Sequence, residues 1–308
     1  VYALRLCPAC GLVFADPLAS PGPGWYQLAA GAWIAEPSGD PSKNWRVGWL
    51  RGLFPSGGRG LSLVDIGCGD GFFLAGAKGE GFYAWGIDFD SERTAAAASR
   101  GLGTVFTGTP EEFMAAHPGR AFDVATAFQA LEHVDDPAAV LRGAAALLKP
   151  GGLLLADVPN ADRAFGGTLA IIDYPPHHLT RWTEQALRAV FARAGFEVLR
   201  ADSIMQLGNF YDHIFSTITL NLAALFKKLR YGGSMAELRL TPMAKAAGAA
   251  PAADTGAARR ARLVAAVRRL YYAVFWLPLL PAAAVFVLYC RLAGKGMFTA
   301  ITARKKAA

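Results

Sequence analysis

Between residues 61 and 90 the chain reads as a short apolar run, a glycine turn, a helical stretch and a second apolar run closed by an acid, and few folds accept that order. Val64-Asp65-Ile66-Gly67-Cys68-Gly69-Asp70-Gly71 ends the first run and leads into Phe72-Phe73-Leu74, which opens a helix. Glycines at a strand-to-helix junction permit positive φ and let a ligand lie against bare backbone. Gly86-Ile87-Asp88 closes the next run, where an acid can meet ribose hydroxyls. The spacing is Gly-x-Gly-x-Gly, with Phe72 where a dinucleotide fingerprint would continue toward another glycine. Pyrophosphate needs close approach to a helix N-terminus, whereas a cationic ligand with an amino-acid tail gains from an acid such as Asp65. A nicotinamide oxidoreductase is disfavoured on that ground.

Around this turn, apolar runs alternate with helical stretches. Leu61–Ile66, Tyr83–Ile87, Thr104–Phe106, Phe122–Phe128 and Leu153–Val158 read as buried strands, and Ala138–Leu148 and Glu184–Ala194 as helices. Thr183 is the expected N-cap of the second helix and Gly195 lies just past its end. Phe196–Ser203 and Met297–Arg304 return to strand character. The pattern predicts an α/β fold, a doubly wound, mostly parallel seven-stranded sheet with a helical insertion before its last strand. The expected divisions are 1–60, an N-terminal segment with a lead-in helix near Lys43–Phe54; 61–203, the ligand-binding core; 204–296, a basic, apolar helical insertion; and 297–308, the final strand and a basic tail.

Val64–Gly71, Gly86–Asp88, Phe122-Asp123-Val124 running on to Leu131-Glu132-His133-Val134, Leu148-Lys149-Pro150-Gly151-Gly152 and Ala194-Gly195-Phe196 together resemble the class I S-adenosylmethionine-dependent methyltransferases, in the branch of ubiquinone-biosynthesis and other small-molecule enzymes. The resemblance implies S-adenosylmethionine as cofactor. It implies that Asp65, Gly67 and Gly69 line the methionine part, with Cys68 and Gly71 in the same turn, that Asp88 meets the ribose, and that Phe89 flanks the adenine. The family carries an acid after its third strand for the adenine amine; here Gly108-Thr109-Pro110 stands there, and Thr109 joins the cofactor residues. Phe128 and Gln129, ending the fourth strand, are expected beside the donor methyl.

Methyl transfer from a sulfonium is an in-line displacement with a good leaving group, so the protein mainly positions the nucleophile and removes its proton. No metal is required. Histidine suits a base because its pKa lies near neutrality. The candidates are His133, after the fourth strand on the edge where open α/β sheets bind ligands, its neighbour Glu132, and His177 and His178, in the loop after the fifth. Each also has a plain structural reading as a loop residue.

Cys7-Pro8-Ala9-Cys10 looks like the second knuckle of a zinc ribbon. A structural zinc takes four ligands, and with half that number either the first knuckle is missing or the site is a relict, so no zinc is expected on this chain. With no disulfide spacing and no signal peptide in sight, a reducing, cytoplasmic setting is expected.

The net charge of +7 is concentrated late, where residues 204–308 hold 15 Lys/Arg against 3 Asp/Glu. Leu270–Cys290 is uncharged and long enough for the roughly 20 residues a bilayer span takes, yet Pro278 and Pro281 break it. If the strands on either side share a sheet, the chain must leave and return on one side. Arg268, Arg269, Arg291 and Lys295 flank the run, as cytoplasmic ends would. Upstream, Ile214, Ile218, Leu222, Leu225 and Phe226 make a helical stripe ending at Lys227-Lys228, which reads as an interfacial helix. Thr241–Ala258, rich in Ala, Pro and Gly, is expected to lack order.

Peripheral or re-entrant attachment to the anionic inner face of a membrane follows, with a hydrophobic or lipid-linked acceptor and O-methylation. Packing of both helices on protein is the alternative to attachment, and nucleic acid is not expected as a partner. A sugar or nucleotide-sugar methyltransferase is the runner-up, and a non-catalytic cofactor-binding scaffold at the membrane the competitor of another class.

Overall fold

The computed structural model describes residues 2–22, 39–164, 173–207 and 280–306. The chain opens with a hairpin of β1 (Ala3–Leu6) and β2 (Val13–Asp16) and reaches helix α1 (Trp45–Leu53) through a short turn of 3-10 helix. Strands β3 (Ser62–Ile66), β4 (Tyr83–Asp88), β5 (Val105–Thr107), β6 (Phe122–Phe128) and β7 (Leu148–Pro159) then alternate with α2 (Phe72–Gly79), α3 (Ser91–Ser99), α4 (Pro110–Ala116) and α5 (Pro137–Leu147). Strand β8 (Thr180–Arg181), α6 (Glu184–Arg193), β9 (Phe196–Ile204), α7 (Leu280–Leu292) and β10 (Phe298–Lys305) follow.

Seven strands form one sheet in the order β5-β4-β3-β6-β7-β10-β9. The first five are parallel, and β10 runs antiparallel to both β7 and β9. Consecutive side chains of a strand point to opposite faces, and the core divides accordingly. Val64, Ala125 and Leu154 pack under α4, α5 and α6, whereas Leu63, Val124 and Leu155 pack under α1, α2 and α3. Phe191 and Phe196 close the first layer, each buried to 1% exposure or less, and burial of such a side chain contributes about 1.5–3 kcal/mol.

Strand and helix limits follow the sequence reading closely, with one informative departure. Strand β7 begins at Leu148 rather than Leu153: Leu148 pairs with Phe122, and the ladder resumes at Leu153 and Val124 across an irregularity. Lys149-Pro150-Gly151-Gly152 is thus drawn into the strand, with Gly152 so tight that a Cβ would stand 3.1 Å from the carbonyl of Asp123. The side chain of Thr183 accepts from the Ala186 amide and caps α6. The interfacial stripe 214–228, the segment 241–258 and positions 270–279 of the uncharged run lie outside the described residues.

A second, three-stranded sheet joins β1, β2 and β8. The Ala15 amide donates to Leu179 O at 2.7 Å, tying the N-terminal hairpin to the segment just after His178. The turn between β1 and β2 is closed by Cys7 N donating to Leu12 O and Gly11 N to Cys7 O, both at 2.8 Å. Backbone N–H groups, that of Ala9 foremost, hold the Cys7 thiol below its ordinary value, whereas burial pushes Cys10 up.

Candidate active site

The carboxyl ends of β3, β4 and β6 open on a cavity of about 610 Å³. At the β3 end, Gly67, Gly69 and Gly71 all have positive φ, and the Gly67 amide donates to Ile87 O at 2.8 Å. Asp88 fastens this turn to β4, its Oδ2 accepting from the Gly69 amide at 2.8 Å and its Oδ1 from the Asp90 amide at 2.9 Å. Burial raises the Asp88 pKa, although these N–H groups oppose the rise. Each oxygen keeps a lone pair for a ligand hydroxyl. Asp90 then caps α3, and Thr109 caps α4 in a reciprocal box with Glu112.

Of the residues singled out from sequence, Gly67, Asp88, Phe89, Thr109, Gln129, His133 and His177 line the cavity together. Phe89 is 54% exposed, as a residue with one ring face open to a ligand would be. Others are brought near without lining it. Cys68 is buried, its Sγ only 2.6 Å from where a Cβ on Gly86 would stand, so it is a packing residue that requires that glycine. Gly71 seats α2 against Leu102 and Ala97. Phe128 packs edge-on to Phe73, with ring centroids 4.8 Å apart. Asp65 lies behind the turn, accepting from Thr126 Oγ1 at 2.6 Å, and burial pushes its pKa up to about 7.

Sequence reasoning missed a second set of residues. Arg46, on α1, donates from Nε and Nη2 to the two oxygens of Asp157 at 2.6 and 2.8 Å, and its guanidinium stands over the Phe128 ring at 5.4 Å. Gln129 Nε2 donates to the same carboxylate at 2.7 Å. Gln129 also holds φ at 51°, a left-handed conformation that a non-glycine residue adopts at some cost and that recurs at functional sites. An acid inside the apolar run Leu153–Val158 was the one available signal, since a charge in a buried strand needs a partner.

At the other end of the cavity His133, His177 and His178 form a tight group, with ring centroids 4.5–4.8 Å apart. His133 Nδ1 lies 2.8 Å from His177 O, so in the neutral ring Nδ1–H donates to that carbonyl and Nε2 keeps its lone pair. Burial, then His178 and His177, hold His133 well below the ordinary histidine value. Glu132, fully buried beside them, has its pKa raised to about 8 by burial. His178 does not line the cavity; it lies behind His133. The ligand atoms of the three imidazoles fall within 4.8 Å of one another, so this group could also hold a metal ion.

The sequence matches the family described as a methyltransferase domain over residues 46–201. It is 42% identical over 98 residues to the ubiquinone biosynthesis O-methyltransferase of Sodalis glossinidius, covering 30% of this chain and 39% of that protein. The protein of the same name from Paracidovorax citrulli is 31% identical over 154 residues, covering 47% and 63%. The chain thus spans about half the length of the curated relatives it matches. A solved structure described as a SAM-dependent methyltransferase from Archaeoglobus fulgidus shares the fold, with a TM-score of 0.50 at 17% identity over 91% of this chain and 99% of that one.

Proposed function

We propose that this chain, which belongs to the methyltransferase-domain family, transfers the methyl group of S-adenosylmethionine to an oxygen of a hydrophobic small-molecule or lipid-linked acceptor. The observation that carries the reading is the single cavity that joins the glycine turn and Asp88 to His133. The residues fit the cofactor: Gly67 lines the cavity in left-handed backbone, where a Cβ would come 3.0 Å from Ala130, and Asp88 lines it alongside with lone pairs free for hydroxyls. When bound, S-adenosylmethionine supplies a sulfonium-activated methyl group.

The chain's own groups do the rest. Asp88 accepts from the ribose hydroxyls, Phe89 covers the adenine, and Asp65 favours the cationic amino-acid end. His133, neutral because its pKa is depressed, takes the acceptor's proton at Nε2 as the new bond forms, and His177 borders the acceptor. No step needs a metal. Oxygen is favoured as the methylated atom by the O-methyltransferase names of the relatives.

Attachment to an anionic inner membrane surface belongs to the same reading. No helix among the described residues is long and apolar enough to cross a membrane, but α7 turns Val285, Leu288, Tyr289 and Leu292 outward at 57–80% exposure. Its other face packs Val287 and Cys290 on Met205. An apolar face beside Arg291 and Lys295 suits a headgroup region. Flotation with anionic liposomes at low salt tests attachment, and protein left wholly in the soluble fraction overturns it.

For the reaction, labelled methyl from S-adenosylmethionine is offered with a membrane extract of the source cells and the products are partitioned, with Asp88→Ala as control. Label in the organic phase, lost in the variant, is expected. Label confined to the aqueous phase would favour a sugar acceptor instead, and binding of cofactor without transfer to any acceptor would favour a scaffold.

A further inference from the structure

Behind the cavity-lining histidines lies a polar chain that the reading above does not use. His178 Nδ1 is 3.5 Å from Asp173 Oδ1, and the other oxygen of Asp173 takes the Arg163 guanidinium. All three side chains are buried, at 4–8% exposure. Arg163 Nη1 also donates to Asn160 O at 3.2 Å, and Asn160 Nδ2 to Gly294 O at 2.8 Å, so the guanidinium is anchored to the end of β7. The stretch after His178 is stitched from the far side, where Leu179 N donates to Glu132 O at 2.7 Å and Thr180 Oγ1 to Leu131 O at 3.1 Å. His178 therefore sits between a fixed carboxylate and the ring of His133, 4.8 Å away centroid to centroid.

We propose that Asp173, clamped by Arg163, is a positioning residue that fixes His178 as the neutral Nδ1–H tautomer, so that its carboxylate, one uncharged ring away, offsets the charge His133 takes up as the acceptor's proton leaves. The inference rests on the proposed methyl transfer. In that step the acceptor O–CH3 bond forms, the S–CH3 bond breaks with its electron pair going to sulfur, and the acceptor's proton passes to His133 Nε2. A lone His133 is poorly suited to keep that proton, because burial and two neighbouring imidazoles disfavour its charged form. A carboxylate one ring further back offsets part of this through its charge, although it does not touch the base itself as the orienting acid of a triad does. The geometry gives Asp173 that place, and Arg163 keeps it ionised; burial alone would raise its pKa, but His178 and Arg163 hold it below the ordinary carboxylate value.

The charged and titratable groups facing the pair are Asp173, Arg163 and His177 around His178, and Glu132, His177 and Arg93 around His133. Glu132 Oε1 stands 3.9 Å from His133 Nε2. Glu132 favours its neutral form, with a pKa of about 8, so through neutral pH Asp173 is the anion of the pair's surroundings.

The test uses the full chain with ¹⁵N-labelled histidine and needs no acceptor for its first readout. In the wild type, NMR is expected to show one imidazole, lost in His178→Gln, as the Nδ1–H tautomer with a downfield proton. Asp173→Asn should shift that proton upfield. It should also lower kcat about tenfold or more, within the range that general acid–base groups supply, while the KM for S-adenosylmethionine changes less than about twofold and the acid limb of kcat moves to lower pH. If Asp173→Asn does not fold because Arg163 is left buried and unpaired, the double variant Arg163→Gln/Asp173→Asn, which removes both charges, takes its place. An unshifted His178 signal, or a lowered kcat with an unmoved acid limb, reduces Asp173 to a structural clamp and overturns the inference. A wild-type chain that methylates nothing would overturn the functional reading, while the resonance still decides the tautomer.

Discussion

Arg46 grips Asp157 with two parallel hydrogen bonds at 2.6 and 2.8 Å, across 111 positions of sequence, and so ties the lead-in helix to the middle of the sheet. The carboxylate is fully buried and the guanidinium side chain 18% exposed. Removing one partner strands the other, at a cost of about 3–5 kcal/mol. Asp157→Ala is expected to lose that much stability in urea denaturation, whereas Arg46→Met/Asp157→Leu together should lose far less. Equal losses in the two would mean that packing, not charge, sets the contribution.

Gly71→Ala should be much more damaging than Gly151→Ala, although both glycines have φ near +75°. At Gly71 the new Cβ would stand 2.3 Å from Leu102 Cδ1 and 3.1 Å from Ala97 Cβ, whereas at Gly151 nothing lies within 4 Å. Backbone strain alone costs about 1 kcal/mol, and overpacking adds about 1–3 kcal/mol at Gly71. Thermal unfolding of both variants, with S-adenosylmethionine binding measured alongside, separates the two contributions; equal effects would show that Leu102 gives way freely.

Cofactor affinity should depend on pH through Asp65. Its pKa, pushed up to about 7, leaves the carboxyl largely protonated just below neutrality. A cation bound beside it favours the carboxylate, so a proton leaves on binding and affinity rises with pH up to neutrality. Calorimetry in buffers of different ionisation enthalpy should detect that release near pH 7 and lose it in Asp65→Asn. For folding the sign is opposite. A raised carboxyl pKa adds stability at low pH that is lost as pH rises from the ordinary 3.8 through about 7.

Methyl transfer should survive exhaustive chelation, because the proposed base is an imidazole lone pair rather than a metal-bound oxygen. The three histidines are close enough to capture an ion, and added zinc is therefore expected to inhibit by occupying them. Loss of activity on chelation, restored by a divalent ion, would turn the same residues from bases into ligands.

The parallel half of the sheet was legible because its buried strands write short apolar runs, Phe122–Phe128 among them, and α6 because it begins at the capping residue Thr183. The glycine turn and Asp88 were legible for a similar reason, since local backbone conformation demands those residue types. Strand order was not, because placing β10 between β7 and β9 depends on pairing between distant segments. Nor was β8, whose two residues carry no period. In the candidate site, the acid in the apolar run at Asp157 signalled a partner but not which one, and Arg46 with Asp157 and Arg163 with Asp173 escaped notice because the sequence does not say which residues pair when they sit on different elements. The histidines were visible individually, but that His178 stands behind His133 required coordinates.

The place of β10 also bears on how the chain is made. Synthesis runs from the N-terminus, so the glycine turn, Asp88 and the histidines leave the ribosome before the strand that fills the gap between β7 and β9. Until Phe298–Lys305 emerges, each of those strands presents an unpaired edge, a template for pairing with other chains. Chains truncated near residue 290 should therefore have a nearly complete binding edge yet be sensitive to protease and sticky, and extending them past residue 305 should abolish both traits at once.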